Sequence, residues 1–195
     1  KEENTVDRHI PLVLWHQIQD GSIPTQQECL VIERHLKRTG IKSEITVNRN
    51  PETKIRWNFG QPSVSIVIPT KNNCTVLHNL LHTLFEVTNY FEVILVDNNS
   101  KEEALKTYYS RIVKDHPIRI VNFNEEFNYS RANNLGASLS QSDLLLFMNN
   151  DMEIIDPEWL NELCQWSMVE EIGVVGAKLL HMENTIQHAG VILGL

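Results

Sequence analysis

Short apolar runs alternate with helically spaced apolar residues from residue 63 onward. Four runs rich in β-branched and other large apolar residues predict buried strands, at 64–68, 91–96, 118–121 and 143–148. Between the runs, apolar residues recur every three or four positions, as at Leu77, Leu81 and Leu84, and predict helices. Strands that alternate with helices in this way predict an α/β fold with a mostly parallel sheet and helices on both faces.

Two of the predicted helices carry start signals. Ser130 is of the residue type that caps a helix, here one running to about residue 140. Asp156 followed by Pro157 places a capping carboxylate before a proline at the first helical position. This pair predicts a further helix through Trp159 and Leu163.

The pattern of apolar and polar residues changes near residue 61. Before it, residues 26–38 have helical spacing that Gly40 should end, and residues 41–47 alternate like a strand ahead of an Asn50-Pro51 turn signal. The 195 residues, 42% of them hydrophobic, suffice for one medium domain and an appendage. We therefore predict a small N-terminal α/β appendage at 1–60 and a larger domain at 61–195, incomplete at its C-terminus.

Charge is unevenly divided along a chain whose formal net charge is −8. Residues 1–60 hold nine Lys and Arg against eight Asp and Glu, whereas residues 61–195 hold eight against seventeen. The acidic part should repel a phosphate backbone, which argues against nucleic acid as a partner. An anionic ligand there would need positive charge from another source.

The sequence shows neither a secretory signal nor an apolar run of transmembrane length. Its three cysteines, Cys29, Cys74 and Cys164, are too few and too scattered for a disulfide framework, which favours a reducing compartment. We expect a cytoplasmic protein without a transmembrane segment, either free or attached peripherally to the inner face of the membrane.

Three of the four predicted strands end in polar clusters. These are Pro69-Thr70-Lys71-Asn72-Asn73, Asp97-Asn98-Asn99-Ser100 and Asn149-Asn150-Asp151. Turn chemistry alone explains one such cluster, since Asn and Asp suit loops. Open parallel sheets bind ligands beyond the carboxyl ends of their strands, so three clusters on one rim predict a binding site.

The ligand chemistry follows from what these loops contain. The first strand is followed neither by the glycine pattern of a dinucleotide fold nor by that of a nucleoside triphosphatase. A diphosphate in this acidic part would need a divalent cation, which a carboxylate such as Asp151 could hold. Oxygen ligands at a loop tip suit Mg²⁺ or Mn²⁺, whose coordination shell substrate phosphates and water commonly complete.

Five stretches together resemble family-2 glycosyltransferases, in the branch associated with bacterial cell-surface polysaccharide and rhamnan or O-antigen assembly. They are VSIVIPTKNN, VILVDNNS, FNYSRANNLGA, LLLFMNNDMEI, and GVVGAKLL followed by IQHAGVILGL. They occur in the family's order across residues 63–195. The resemblance implies the GT-A fold, a Rossmann-like α/β architecture, truncated here at the C-terminus.

The resemblance also implies residue roles on the nucleotide side. Asp97 would hydrogen-bond the base, as the family's second-strand aspartate does. The other residues expected to bind or border the nucleotide are Pro69, Thr70, Asn72, Asn99, Arg131 and Asn134. Arg131 has an alternative interpretation, an ion pair with Glu125 or Glu126 on a solvated face.

The diphosphate and sugar side is implied in the same way. Asp151 matches the last acid of the family's DXD-like motif and would hold the metal, while Asn149 replaces the first acid of that motif. Asn150, Gln187 and His188 would contact the sugar or the diphosphate. His188 could equally be an ordinary half-buried strand histidine.

The reaction implied is an inverting transfer of a sugar from a UDP, dTDP or GDP sugar to a hydroxyl of an acceptor glycan or lipid-linked glycan. The metal would stabilise the departing diphosphate, while a carboxylate removes the acceptor's proton. In the family that base lies in a later Glu-Asp motif, so we expect it beyond Leu195. The chain alone should bind nucleotide weakly and turn over slowly or not at all.

Two other classes stay open. A sugar nucleotidyltransferase shares the alternating strands but should carry a glycine-rich basic loop after the first strand, which residues 69–73 lack. A non-catalytic nucleotide-sugar-binding or interaction fragment is the other alternative. A pure interaction module would show no metal-dependent nucleotide binding.

Overall fold

The computed structural model describes residues 26–40, 43–47, 53–57, 59–88, 90–170 and 172–190, which fall in two units, Lys1–Trp57 and Asn58–Leu195. No helix within these described ranges is long and apolar enough to cross a membrane.

The first unit contains a helix and a hairpin. Helix α1 (Gln26–Thr39) confirms the helix predicted at 26–38, and Gly40 follows it with a φ of 76°, a left-handed conformation that suits glycine. Strands β1 (Ser43–Val47) and β2 (Thr53–Trp57) pair antiparallel. Strand β2 was not predicted, and the turn signal at residues 50–51 lies outside the described residues.

The second unit is built on a four-stranded parallel sheet. Its strands are β3 (Val64–Thr70), β4 (Phe91–Asp97), β5 (Ile118–Asn122) and β6 (Leu144–Phe147). The spatial order is β5-β4-β3-β6, and all three pairings are parallel. The four predicted strands and the parallel sheet are therefore confirmed.

Helices and a final hairpin connect and follow these strands. They are α2 (Cys74–Val87), α3 (Glu103–Asp115), α4 (Tyr129–Ser138), α5 (Trp159–Ser167), and the antiparallel pair β7 (Leu179–Leu180) and β8 (Ile186–His188).

Alternate residues of the central strands enter two apolar clusters. On β3, Ile66 and Ile68 belong to the cluster that includes the buried leucines of α2, whereas Val67 belongs to a cluster with Ala132 of α4. Because successive strand residues point to opposite faces, helices cover both faces of the sheet. Each buried leucine of α2 contributes about 1.5–3 kcal/mol of transfer free energy.

Two predicted helix starts are wrong by a few residues. Asn128, not Ser130, caps α4, because its Oδ1 accepts a hydrogen bond from Arg131 N at 3.0 Å. Helix α5 begins after the turn that Asp156 opens, where Asp156 Oδ1 accepts from Glu158 N at 2.9 Å. The Asp-Pro pair therefore forms a turn before the helix and does not cap it.

Helix α4 packs closely on the sheet at Gly136. A Cβ atom at this position would lie 2.4 Å from Val67 Cγ1 and 3.0 Å from Val96 Cγ2. Both neighbours are β-branched side chains with restricted rotamers, so they cannot easily move aside.

We predict that Gly136→Ala lowers the free energy of unfolding by about 1–3 kcal/mol through overpacking. In an open helix the same change would stabilise by about 1 kcal/mol, so the expected sign is opposite to intrinsic propensity. Urea denaturation measures it, and Gly173→Ala, with nothing within 4 Å of its added Cβ, is the control. Unchanged or increased stability of the Gly136 variant would refute the close packing.

Candidate functional site

The site lies where the neighbouring strands β3 and β4 end at the same level of the sheet. Thr70 and Asp97 are the last residues of β3 and β4 and are Cα partners in the parallel ladder. The pairing continues one step further, because Asn98 N donates to Thr70 O at 2.9 Å. Thr70 is 3% exposed and Asp97 6% exposed, so only a small part of each residue is accessible at this edge of the sheet.

Both oxygens of the Asp97 carboxylate accept a hydrogen bond. The Tyr109 hydroxyl donates to Asp97 Oδ1 at 2.9 Å, and Ser100 N donates to Oδ2 at 3.0 Å. Burial, and then the adjacent charge of Asp97 and the hydrogen bond to it, raise the pKa of Tyr109 far above its ordinary value. Tyr109 therefore remains a hydrogen-bond donor to Asp97 at any physiological pH.

The loops after β3 and β4 are bonded to each other. Asn72 N donates to Ser100 Oγ at 2.7 Å, Lys101 N donates to Asn72 Oδ1 at 2.8 Å, and Lys71 Nζ donates to Asn98 Oδ1 at 3.2 Å. Asn72, Asn73 and Asn99 have φ near 55°, a left-handed conformation that asparagine tolerates. Turn geometry thus accounts for part of the asparagine content, and the two loops form one interlocked rim.

The third loop joins this rim through Asn150. Its Nδ2 donates to Thr70 Oγ1 at 3.2 Å, and Met148 N donates to Val67 O at 3.0 Å, just past the end of β6. Asn149 and Asp151, on either side of Asn150, are exposed. The loops after β3, β4 and β6 are therefore connected at Thr70.

Asp151 is an exposed carboxylate in the loop after β6. Within the described part of the chain, no group of three or more His, Cys, Asp or Glu side chains could hold a metal ion. The oxygen donors at Asp151 and Asn149 suit Mg²⁺ or Mn²⁺ chemically, but they leave most of the coordination shell to water or a ligand.

The first turns of α4 hold the remaining nucleotide-side residues. Arg131 forms an ion pair with Glu125, and both side chains are about half exposed, so the alternative interpretation of Arg131 describes the observed contact. Asn134 is exposed. Its neighbour Asn133 is buried and donates from Nδ2 to Tyr129 O at 2.9 Å, while its Oδ1 has no partner.

Gln187 and His188 are not joined to the rim. Both are exposed on β8, in the separate two-stranded sheet, so His188 is a strand residue but not a half-buried one. No hydrogen bond or ion pair of the described residues links either side chain with the three loops. Pro69 is buried inside β3, and Asn99 is exposed with its Nδ2 3.5 Å from Phe123 O.

Sequence reasoning missed Tyr109 and the role of Asn98. Asn98 is 1% exposed and donates to the carbonyls of Phe123 and Glu125, both at 2.9 Å, tying the rim to the segment before α4. Tyr109 lies four residues after the buried Leu105, one helical turn further along α3, and this spacing was the available signal.

Comparisons with known proteins agree with this architecture. The family model for glycosyl transferase family 2 matches residues 65–185. The O-antigen biosynthesis protein RfbC of Myxococcus xanthus is 38% identical over 167 residues, which are 84% of this chain and 13% of that protein. A protein of Sinorhizobium fredii is 37% identical over 171 residues, 84% of this chain and 19% of its own length. The chain thus spans about a fifth or less of these relatives.

A solved structure shows the same fold. The mannosyltransferase PcManGT of Pyrobaculum calidifontis, in complex with GDP-Man and Mn²⁺, aligns with a TM-score of 0.53 and 19% identity, covering 74% of this chain and 41% of that one. The predicted GT-A fold and the predicted family are confirmed. Since the family model matches more than half of its residues, the chain belongs to glycosyltransferase family 2, a family of enzymes.

Proposed function

We propose that the rim formed by the loops after β3, β4 and β6 binds a nucleotide-diphosphate sugar together with Mn²⁺ or Mg²⁺. The sugar would be transferred with inversion to a hydroxyl of an acceptor glycan or lipid-linked glycan, in the synthesis of a cell-surface polysaccharide. The biosynthetic context follows the name of the Myxococcus relative, of which this chain matches 13%.

The Asn150–Thr70 hydrogen bond is the observation that supports this proposal most. It ties the loop that carries Asp151 to the strand end that pairs with Asp97. A base-binding carboxylate and a metal-binding carboxylate must lie at the two ends of one nucleotide diphosphate. Loops bonded to one another at Thr70 suit that requirement, whereas independent loops would not.

Electrostatics explain why a cation belongs in this site. Residues 61–195 carry seventeen acidic against eight basic residues, which opposes the approach of a diphosphate. A bound divalent cation would offset the charge of the diphosphate and stabilise it as a leaving group. Asp151 would hold the cation, with Asn149 as a neutral oxygen donor beside it.

The other side chains of the three loops would position the nucleotide-diphosphate sugar. Asp97 accepts a hydrogen bond from the base, while the amides of Asn72 and Asn99 border the nucleoside. Lys71, fixed by Asn98 at 3.2 Å, adds a positive charge at the rim. Arg131 would reach the nucleotide only by sharing or leaving Glu125. The catalytic general base, which would remove the proton of the acceptor hydroxyl, is not among these residues.

We predict that Asp151→Asn weakens binding of UDP in the presence of Mn²⁺ at least about tenfold, because the metal loses its only carboxylate ligand from this loop. Isothermal titration calorimetry measures the affinity. Glu153→Gln, the same charge change two residues along, is the control. Loss of negative charge alone should slightly favour the binding of an anion such as UDP. Equal changes of UDP affinity in the two variants, or tighter UDP binding by Asp151→Asn, would therefore contradict metal ligation by Asp151.

We also predict that Mn²⁺ and nucleotide bind cooperatively. A single exposed carboxylate binds Mn²⁺ weakly, so UDP should raise the Mn²⁺ affinity at least about tenfold, and Mn²⁺ should raise the UDP affinity by the same factor. Electron paramagnetic resonance of free Mn²⁺, titrated with and without UDP, measures the effect. Tight Mn²⁺ binding without nucleotide would show that the metal lies elsewhere.

A further inference from the structure

We infer that a groove between helices α2 and α3 is a second binding site, separate from the rim, and that it holds a neutral sugar residue of a glycan. The inference rests on the proposed function in one respect, because the acceptor glycan is the reason for this chain to hold sugar. The groove has no part in the binding of nucleotide or metal proposed above.

The groove is a cavity of about 280 Å³. It extends from His78 on α2 and Tyr108 on α3 to His116 and Ile118. Ile118 is the first residue of β5, so the groove reaches the amino end of that strand, whereas the rim lies at the carboxyl ends of β3 and β4. A volume just below that of pockets for drug-sized molecules suits one small ring.

Aromatic rings line the groove along its length. At one end His78 lies 5.4 Å from Tyr108 and 5.9 Å from His82, between ring centroids, with the rings inclined by 47° and 36°. Inclined rings do not cover each other's faces fully, and both histidines are exposed. At the other end His116 stacks on Phe85 at 4.0 Å. The face of an aromatic ring is partially negative, so it packs well against the C–H groups on the face of a sugar ring.

Hydrogen-bonding groups stand beside these rings. The Arg111 guanidinium lies 5.7 Å from the centre of the Tyr108 ring, and it forms no ion pair or hydrogen bond with another residue that the structure describes. Glu86 contacts His82 Nδ1 at 3.3 Å, which leaves Nε2 of that ring for a ligand. A guanidinium only donates and a carboxylate only accepts, whereas a sugar hydroxyl does both. Hydroxyls around a sugar ring can therefore satisfy all of these groups.

The charges of the groove favour a neutral ligand. Arg111 supplies one positive charge, and Glu86 and Asp115 supply two negative charges, which opposes a phosphate or a carboxylate. A purely apolar ligand would remove water from these charged groups without replacing their hydrogen bonds, which is costly. Among the described residues of the groove, no three side chains come together as metal ligands. A ring with an apolar face and a hydroxyl edge meets each of these conditions.

A second site changes how the chain holds its acceptor. When one glycan occupies the groove, its binding at the rim becomes intramolecular, and its effective concentration there rises. The groove would thus retain the glycan near the rim without touching the reacting atoms.

The test is a ¹⁵N NMR titration of the 195-residue chain with the methyl glycosides of rhamnose, mannose, glucose, galactose and N-acetylglucosamine. At least one of them should bind with a Kd of about 1–10 mM, the strength expected of a few contacts in an open groove. The signals of His78, His82 and Arg111 should shift, and those of the rim loops should not. Inorganic phosphate is titrated in parallel as the anionic probe.

Variants of exposed groove residues test the contacts. Arg111→Gln and His78→Ala should each weaken binding of that sugar about fivefold or more, through a lost hydrogen bond and a lost ring contact respectively. Lys114→Gln is the control, because it makes the same charge change on α3 outside the groove and should leave sugar binding unchanged. UDP with Mn²⁺ should bind all three variants as it binds the wild type.

The outcomes separate the groove from the proposed function. Binding of none of the five sugars, or shifts confined to the rim, overturns the inference. It is also overturned if phosphate binds in the groove more tightly than every sugar, or if Lys114→Gln weakens sugar binding as much as Arg111→Gln. Sugar binding in the groove without any Mn²⁺-dependent binding of UDP overturns the proposed function and leaves the groove as a sugar site.

Discussion

The parallel pairing of β3 with β4 is the constraint on which the rest of the site depends. Its register runs from Val64 opposite Phe91 to Thr70 opposite Asp97, so the two strands end at the same level. A shift of one residue would turn Asp97 to the other face of the sheet, away from Tyr109. The two strands are buried along nearly their whole length, and this burial of alternating faces against α2, α3 and α4 fixes the register.

Side-chain hydrogen bonds fix the loops relative to the aligned strand ends. Asn98 bonds forward to the carbonyls of Phe123 and Glu125, and Asn150 bonds back to Thr70. Most of the rim's asparagines therefore position backbone and neighbouring side chains, and only some of their donors and acceptors remain for a ligand. Such preorganisation would lower the cost of binding the proposed diphosphate ligand.

Periodicity predicted the centre of the second unit well because β3, β4 and helix α2 bury nearly continuous sets of apolar residues. Strand β2 was missed although Lys54 and Arg56 alternate with the other residues, because the segment is only five residues long and its pairing with β1 is a tertiary event. The meeting of three loops at one edge followed from parallel topology alone. The Tyr109–Asp97 contact did not, because it depends on how α3 is rotated over the sheet, which local sequence does not determine.

The central claim is that Thr70, Asp97 and Asp151 surround one metal-bridged nucleotide, and paramagnetic NMR tests it most directly. Mn²⁺ added together with UDP should broaden the backbone amide signals of residues 70, 97–100 and 150–151 as one group. The signals of His116 and Ile118, at the opposite end of β5, should stay sharp. Broadening that begins at His116, at Ile118 or on β8, with the signals of the three rim loops unchanged, would contradict the account.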